Sequence, residues 1–447
     1  MVYLRVISGI LNVASSELAR CPKQGGVRIG WIRTQHIHPV GGGGQAVKAN
    51  AAPRMSETLA NGEYRALWFA EAQSSAGDQL AKVALAILVY GRTNSALWAA
   101  GVYALTFLPA LAGGLGLSHL ADRYPRRTVL VACAALQAVL VGLMALPGTP
   151  LVTLCALLIG VQLAGAPANA AQNAVTREIF INDELYLRSQ DLRGITNNTV
   201  MLIGLGGGGL LVSLVGTSWA LAIDAVTFAV SAVVLWRSLH KRPAAGGKHT
   251  TWFGATRWVF GRPKLRVLLG LSWLVGLAVV PEGLAAPLAQ QLGEPPQAVG
   301  WILAADPLGF VVGAFVLSRF VSPENRARAL GVLAICSVAV LIGFIAKPNL
   351  AVALALLALA GAAGAYIITV TATFSSWVPN NLRGGASGLY RTGVRVAQGL
   401  GVAAGGVVAE LLGSAADTTA LAGAAGVLLA IPIAVSWTRL RKAEVIE

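Results

Sequence analysis

Twelve runs of roughly twenty predominantly apolar residues follow one another along this chain, and they constrain its fold more than any other feature. They lie near 66–90, 96–119, 128–146, 150–172, 196–214, 217–236, 265–287, 298–318, 329–346, 350–373, 387–411 and 417–437. A helix of about 20 apolar residues crosses the hydrocarbon core of a bilayer. Inside that core every backbone polar group must be satisfied internally, so helices are expected rather than open sheets. Composition agrees: only 12% of the 447 residues are charged, against roughly 25% in soluble domains. An all-α membrane protein with twelve transmembrane helices is therefore expected.

The net charge of +15 would point to nucleic acid in a soluble protein. Here the basic residues sit in alternate loops, the pattern of cytoplasmic loops in membrane proteins. One side holds Arg123, Arg126 and Arg127; then Arg177, Arg188 and Arg193; then eight Lys and Arg from Arg237 to Arg266; then Arg319, Arg326 and Arg328. The C-terminal Arg439, Arg441 and Lys442 fall on the same side, whereas the other side carries Arg92 and Lys347. Both termini are thus expected in the cytoplasm of an inner or plasma membrane protein. No nucleic-acid partner is expected, and nothing in the sequence calls for more than a monomer. The expected partners are a small-molecule substrate, protons and the bilayer.

The chain divides into an extension (1–63), a six-span half (64–237), a basic cytoplasmic linker (238–264), a second six-span half (265–438) and a tail (439–447). The linker is expected to fix topology and rest on anionic lipid. Residues 1–54 lack span-length apolar runs, and "MSETLANGEYRALWFAEA" from Met55 reads as a natural beginning, so 1–54 is expected to be disordered or a mis-chosen start. The halves echo each other. "GLGGGGLLVSLVG" (204–216) and "GVAAGGVVAELLG" (401–413) share glycine at four positions at an offset of 197, which also carries Gly116 onto Gly313 and Leu120 onto Leu317. Repeated halves are the architecture of many secondary transporters, with the substrate site between them.

Gly204, Gly208 and Gly209, like Gly401, Gly405 and Gly406, have the small-residue spacing that lets helices approach closely. The first set also fits a dinucleotide fingerprint, but no strand precedes it and no soluble helix follows. No phosphate-binding Gly-x4-Gly-Lys-Ser/Thr motif is present, so ATP drive within the chain is not expected. Cys21, Cys133, Cys155 and Cys336 show neither pairing nor metal spacing and are expected to be buried thiols. His36 and His38 do not amount to a metal site. No cofactor, metal or enzymatic constellation is read.

Charges within apolar runs mark function, because an acid at the bilayer centre costs about 2.5–3.5 kcal/mol on insertion scales. The first span carries Glu71, Asp78 and Lys82. Glu71 and Asp78 are seven apart and share a face, while Asp78 and Lys82 are four apart and within pairing reach. A paired Asp78 would be structural; an unpaired one would be suited to carry a proton. Glu282 and Asp306 in the seventh and eighth spans are further candidates for coupling or substrate binding. Asp224 reads as structural, and Arg391 and Arg395 as parts of a cytoplasmic gate.

"GLSHLADRYPRRTVL" (116–130) interrupts the apolar sequence with Asp122, Arg123, Arg126 and Arg127. "LADRYPRRTVL" resembles the loop after the second helix of the major facilitator superfamily, more narrowly its drug-efflux branch with macrolide and siderophore exporters. "WFAEAQSSAGDQLAKVALAILVY", "NSALWAAGVYALTFLPALAGG", "AIDAVTFAVSAVVL" and "WVPNNLRGGASGLY" are similar to other segments of that branch, collinearly over about 64–438. Ser118 and Pro125 replace common glycines of the loop motif, Leu205 follows Gly204 where Gly-Pro is usual, and "SRFVSPENRAR" is a degenerate second copy. The resemblance implies two six-helix bundles, alternating access and proton-coupled efflux. It also implies that Asp122 meets the start of the eleventh helix when the cytoplasmic side is closed. Positive-inside anchoring explains the arginines of the loop but not the acid among them, so a cytoplasmic gate is expected. Arg126 and Arg127 have Asp183, Glu184 and Asp191 as candidate partners. Cavity-facing roles are expected for Trp68, Gln73, Gln162 and Asn169. Uptake or facilitated diffusion of a metabolite is the alternative within transport, and a non-transporting receptor the alternative outside it.

Overall fold

The computed structural model describes residues 55–107, 123–242, 252–379 and 382–446. Cys21, His36, His38, Asp122 and part of the linker lie outside them. The elements are helical throughout: α1 Met55–Ala60, α2 Gly62–Thr93, α3 Ala96–Ala104, α4 Arg126–Met144, α5 Leu151–Ile179, α6 Asp183–Val215, α7 Thr217–Ser238 and α8 Trp252–Phe260. Then come α9 Pro263–Trp273, α10 Val275–Ala278, α11 Val280–Gly283, α12 Ala285–Gln291, α13 Gln297–Phe320 and α14 Pro323–Ala339. A 3₁₀ segment, Val340–Ala346, precedes α15 Leu350–Gly364, α16 Tyr366–Trp377, α17 Arg383–Leu412 and α18 Ala415–Ile446.

Ten helical stretches among the described residues are long and apolar enough to cross a membrane. Two of the twelve expected spans fall outside that count for different reasons. α2 is long enough, but it carries Glu63, Arg65, Glu71, Asp78, Lys82 and Arg92. α3 ends at Ala104, and description stops three residues later. Large apolar side chains face outward along the helices: Leu411 is 80% exposed, Leu214 and Val152 74% each. Apolar faces of this extent fit lipid, not water. The chain is a multi-pass membrane protein.

Local chemistry explains where the helices begin and end. Asn61 caps α2, its side chain accepting from the Tyr64 N–H at 3.0 Å. α2 ends at Asn94 in the left-handed region (φ 47°), which Asn tolerates well. Gly216 (φ 84°) makes the one-residue break between α6 and α7. The expected span at 265–287 is a chain of short helices instead, because Pro281 and Pro287 each remove a backbone donor. α6 starts at Asp183, thirteen residues before the apolar run, so Arg188 and Arg193 are helical rather than in a loop. The linker contains α8, whose Ala255 and Val259 are buried, and the tail from 439 continues α18. Cys336 is exposed, and Cys133 and Cys155 are half-buried.

α7 packs between α2 and α4, α5 lies on α4, and α6 lies on the other side of α2. In the second half of the chain α13 packs on α15, and α14 on α18. Two extensive contacts join residues before the linker to residues after it: α6 with α13, and α3 with α17. Both depend on glycine. A Cβ at Gly209 would meet the Gly300 nitrogen at 3.0 Å, and one at Gly300 would meet the Leu205 carbonyl at 2.6 Å. A Cβ at Gly406 would meet Ala100 Cβ at 2.6 Å. The other repeat glycines face neighbours too: Gly204 meets Gln79, Gly208 meets Val83, Gly401 meets the backbone of Gly276, and Gly405 meets Val280.

Candidate functional site

A cavity of about 310 Å³ lies among α2, α4, α5, α7 and α17. Its polar lining comes from Asp78, Gln79 and Lys82 of α2, Thr106 after α3, Gln137 of α4, Gln162 and Asn169 of α5, Asp224 of α7, and Arg395 and Gln398 of α17. A second cavity of about 130 Å³ shares Asp78, Gln137, Gly165 and Asn169 with the first. It continues along α2 toward Glu71 and Leu67.

Asp78 lines both cavities. No ion pair joins it to Lys82, which donates instead to Gln79 Oε1 at 3.2 Å. Of the two alternatives open in the sequence, the geometry presents neither in pure form: Asp78 makes no salt bridge, yet the Lys82 charge one turn along α2 lies within Coulombic reach of it. Asp224, 1% exposed, also lines the first cavity; it lies against Gly77 and accepts a hydrogen bond from Thr227 Oγ1 at 3.2 Å. A side chain at 77 would collide with the Asp224 carboxylate, so the Gly-Asp pair at 77–78 lets α2 and α7 bring two acids close together.

The other acids are differently placed. Glu71 receives Arg193 Nε at 2.6 Å and the Gln172 amide, so it is tied to α5 and α6. Arg193 also donates to Asn173 Oδ1 at 2.5 Å. Glu282 accepts from the Tyr103 hydroxyl at 2.7 Å and lies within Coulombic reach of Lys82 and Asp306. Asp306 lies where α13 crosses α15, its backbone against Gly361. Neither Glu282 nor Asp306 lines the central cavity.

At the N-terminal end of α2 a chain of charges ties four elements together. Arg242 grips Glu63 with two hydrogen bonds of 2.7 Å each, and the His240 N–H adds a third at 3.1 Å. Burial by itself would raise the Glu63 carboxyl, but the bonds from Arg242 and His240 outweigh it and hold the group below its usual range. Arg242 also reaches Glu178, which pairs with Arg126. The partner of Arg126 is therefore Glu178 on α5, not Asp183, Glu184 or Asp191. Asp183 pairs with Arg177, and Asp191 with Arg188. Arg127 donates to the Trp236 carbonyl, and Arg123 lies over the Tyr124 ring at 5.9 Å.

At the C-terminal end of α2 the hydrogen bonds cross the linker. Tyr90 donates to Gln290, and Ser95 Oγ and the Leu97 N–H donate to Glu410 at 2.9 and 3.2 Å. Tyr103–Glu282 is a further bond between residues before and after the linker.

Gln162 and Asn169 line the cavity as expected from their positions. Trp68 and Gln73 do not: Trp68 donates to Thr196 on α6, and Gln73 to Ser231 on α7. Arg395, read as a gate residue, lines the cavity, and Gln137 and Gln398 went unread. The signal was present, since a charge three turns inside an apolar helix marks function by default.

A family model described as transmembrane secretion effector matches residues 55–447, within the major facilitator superfamily. The chain belongs to this family of membrane transporters. No curated protein matches the transporter in sequence. Its fold is similar to a bacterial homolog of the human lysosomal transporter Spinster, inward-facing and unoccupied (TM-score 0.66, 15% identity, 87% of this chain and 97% of that one). It is also similar to the nucleoside transporter NupG (TM-score 0.66, 16% identity, 84% and 99%). A POT family transporter in complex with 5-aminolevulinic acid matches at TM-score 0.67 with 11% identity, over 84% and 96%. At such identities the likeness is one of fold.

Proposed function

We propose that this transporter exports a small amphipathic compound, a drug or secondary metabolite, in exchange for protons. Two six-helix halves, 64–237 and 265–438, alternate access to the site between them, giving twelve spans in all. The termini and the basic linker lie in the cytoplasm, on the inner side of the cell membrane. Asp122, Arg123, Arg126 and Arg127 form the cytoplasmic gate.

The observation that carries the reading is Asp78: an acid on a polar cavity, held in no salt bridge, beside buried Asp224. A proton and a neutral or cationic amphipath compete for such a group. Binding one expels the other, and that competition is the physical basis of exchange. The family's description as secretion effectors supports the export direction. With the C-terminal end of α2 on the outer side, the bonds from Tyr90 and Ser95 across to Gln290 and Glu410 fit a state closed toward the outside. Glu71, held by Arg193, serves as a brace between α2, α5 and α6, and Glu282 and Asp306 are secondary candidates for coupling.

Lys82 and Arg395 favour a second reading. They place two cations on the same cavity, which suits an anionic metabolite. A bound anion and a proton on Asp78 attract each other and would travel together, which gives uptake rather than exchange. Transport in reconstituted vesicles under an imposed pH gradient separates the two. An inside-acid gradient drives amphipathic cations inward by exchange; an outside-acid gradient drives anions inward by symport. Movement indifferent to either gradient would refute both.

A further inference from the structure

A crevice of about 570 Å³ opens between α9 and α18, away from the central cavity. Its floor is apolar: Val267 and Gly270 on one wall, Pro432 and Ile433 on the other. Its rim carries Arg266 and Arg439, with Ser436 between rim and floor. At 1.5 Å rise per residue, Gly270 lies about 6 Å deeper than Arg266, and Ile433 about 9 Å deeper than Arg439. The two helices run antiparallel here, so both arginines stand at the same end. Gly270 and Ile433 face each other across the floor: a Cβ at 270 would reach ordinary contact with Ile433 Cδ1 at 3.4 Å, and a larger side chain would occupy the slot.

Other basic groups nearby have aromatic partners. Lys264 lies over the Trp377 ring at 5.6 Å, and Arg262 over Trp258 at 3.5 Å. Among the described residues, the side chains of Arg266 and Arg439 have no ion pair, hydrogen bond or ring contact. Two unneutralised guanidinium groups above an apolar slot, at the end of two membrane-crossing helices, complement one kind of molecule. Basic pockets between helices at the membrane boundary take anionic lipid head groups, and guanidinium matches phosphate oxygens in geometry.

We propose that this crevice binds an anionic phospholipid. The phosphate bridges Arg266 and Arg439, and an acyl chain lies over Gly270 and Ile433. Such a lipid would clamp α9 to α18. The inference does not depend on substrate, coupling or direction of transport.

The test uses the full chain in detergent micelles, with phosphatidylglycerol or phosphatidylcholine added and binding read by native mass spectrometry. Wild type is expected to hold phosphatidylglycerol at least tenfold more tightly than phosphatidylcholine. The double variant R266Q/R439Q is expected to lose that preference, while R237Q/R319Q, which removes two exposed arginines elsewhere, keeps it. Gly270→Leu, which fills the floor and leaves both arginines, is expected to weaken phosphatidylglycerol severalfold. Glycerophosphoglycerol, the head group without chains, is expected not to compete. Equal affinity for the two lipids would overturn the proposal. So would an R266Q/R439Q variant that keeps the preference, an R237Q/R319Q variant that loses it equally, or competition by the chain-free head group.

Discussion

Replacing Glu71 with alanine should destabilise the protein by an amount set by the ion pair it leaves behind. The Glu71 carboxylate is 14% exposed and the Arg193 guanidinium 18%, so solvent screens the pair weakly. Without Glu71, Arg193 keeps Asn173 as a neutral acceptor but loses its counter-charge. Removing one member of a buried pair costs about 3–5 kcal/mol, because an uncompensated charge remains. Arg193→Met combined with Glu71→Ala removes that orphan charge. The double variant should therefore lose less than the sum of the singles, with a coupling of at least about 1 kcal/mol. Denaturant titration of the purified protein in micelles, carried through the full double-mutant cycle, measures this. Single losses below about 0.5 kcal/mol, or additive singles, would refute the assignment of Glu71 as a brace.

Three further outcomes are expected. Gly209→Leu should lower thermal stability by about 1–3 kcal/mol and slow transport, since its Cβ meets backbone atoms of α13 that no rotamer change moves; wild-type values in both assays would contradict the close contact. Glu410→Ala removes the acceptor that holds Ser95 and the Leu97 N–H. At roughly 0.5–1 kcal/mol it should raise the reactivity of a cysteine placed at 97 toward an impermeant thiol reagent about two- to fivefold, and an unchanged rate would dismiss the latch. The lowered carboxyl of Glu63 implies that its pairing with Arg242 stabilises the protein fully above the ordinary pH of 4.5 and progressively less as pH falls below it. Glu63→Gln should therefore flatten the acid limb of stability against pH, and an identical limb in the variant would exclude Glu63.

Much of the helical layout was legible because span length follows directly from bilayer physics. Most helix centres lie where the apolar runs place them. What hydropathy could not give was helix continuation through polar sequence. α6 begins thirteen residues before its apolar run, so Arg193 was read as a loop residue when it lies inside a helix. The same limitation hid Glu178, the last turn of α5, as the partner of Arg126. Proline breaks at 281 and 287 were visible as residues, but their effect depends on what neighbouring helices supply. Facing was the least legible property. α2 is flanked by α6 on one side and α7 on another, so polar residues such as Trp68 and Gln73 bond to those neighbours while Asp78 meets the cavity. Periodicity fixes which residues share a stripe, not which stripe faces water.

The most direct test is pH-gradient-driven transport in reconstituted vesicles with wild type beside Asp78→Asn, screening lipophilic cations, macrolides and siderophores. The expected result is accumulation driven by an inside-acid gradient in wild type and its loss in Asp78→Asn, with the variant inserted and folded as before. Gradient-driven transport that survives unchanged in Asp78→Asn would contradict the central claim and move the proton to another acid.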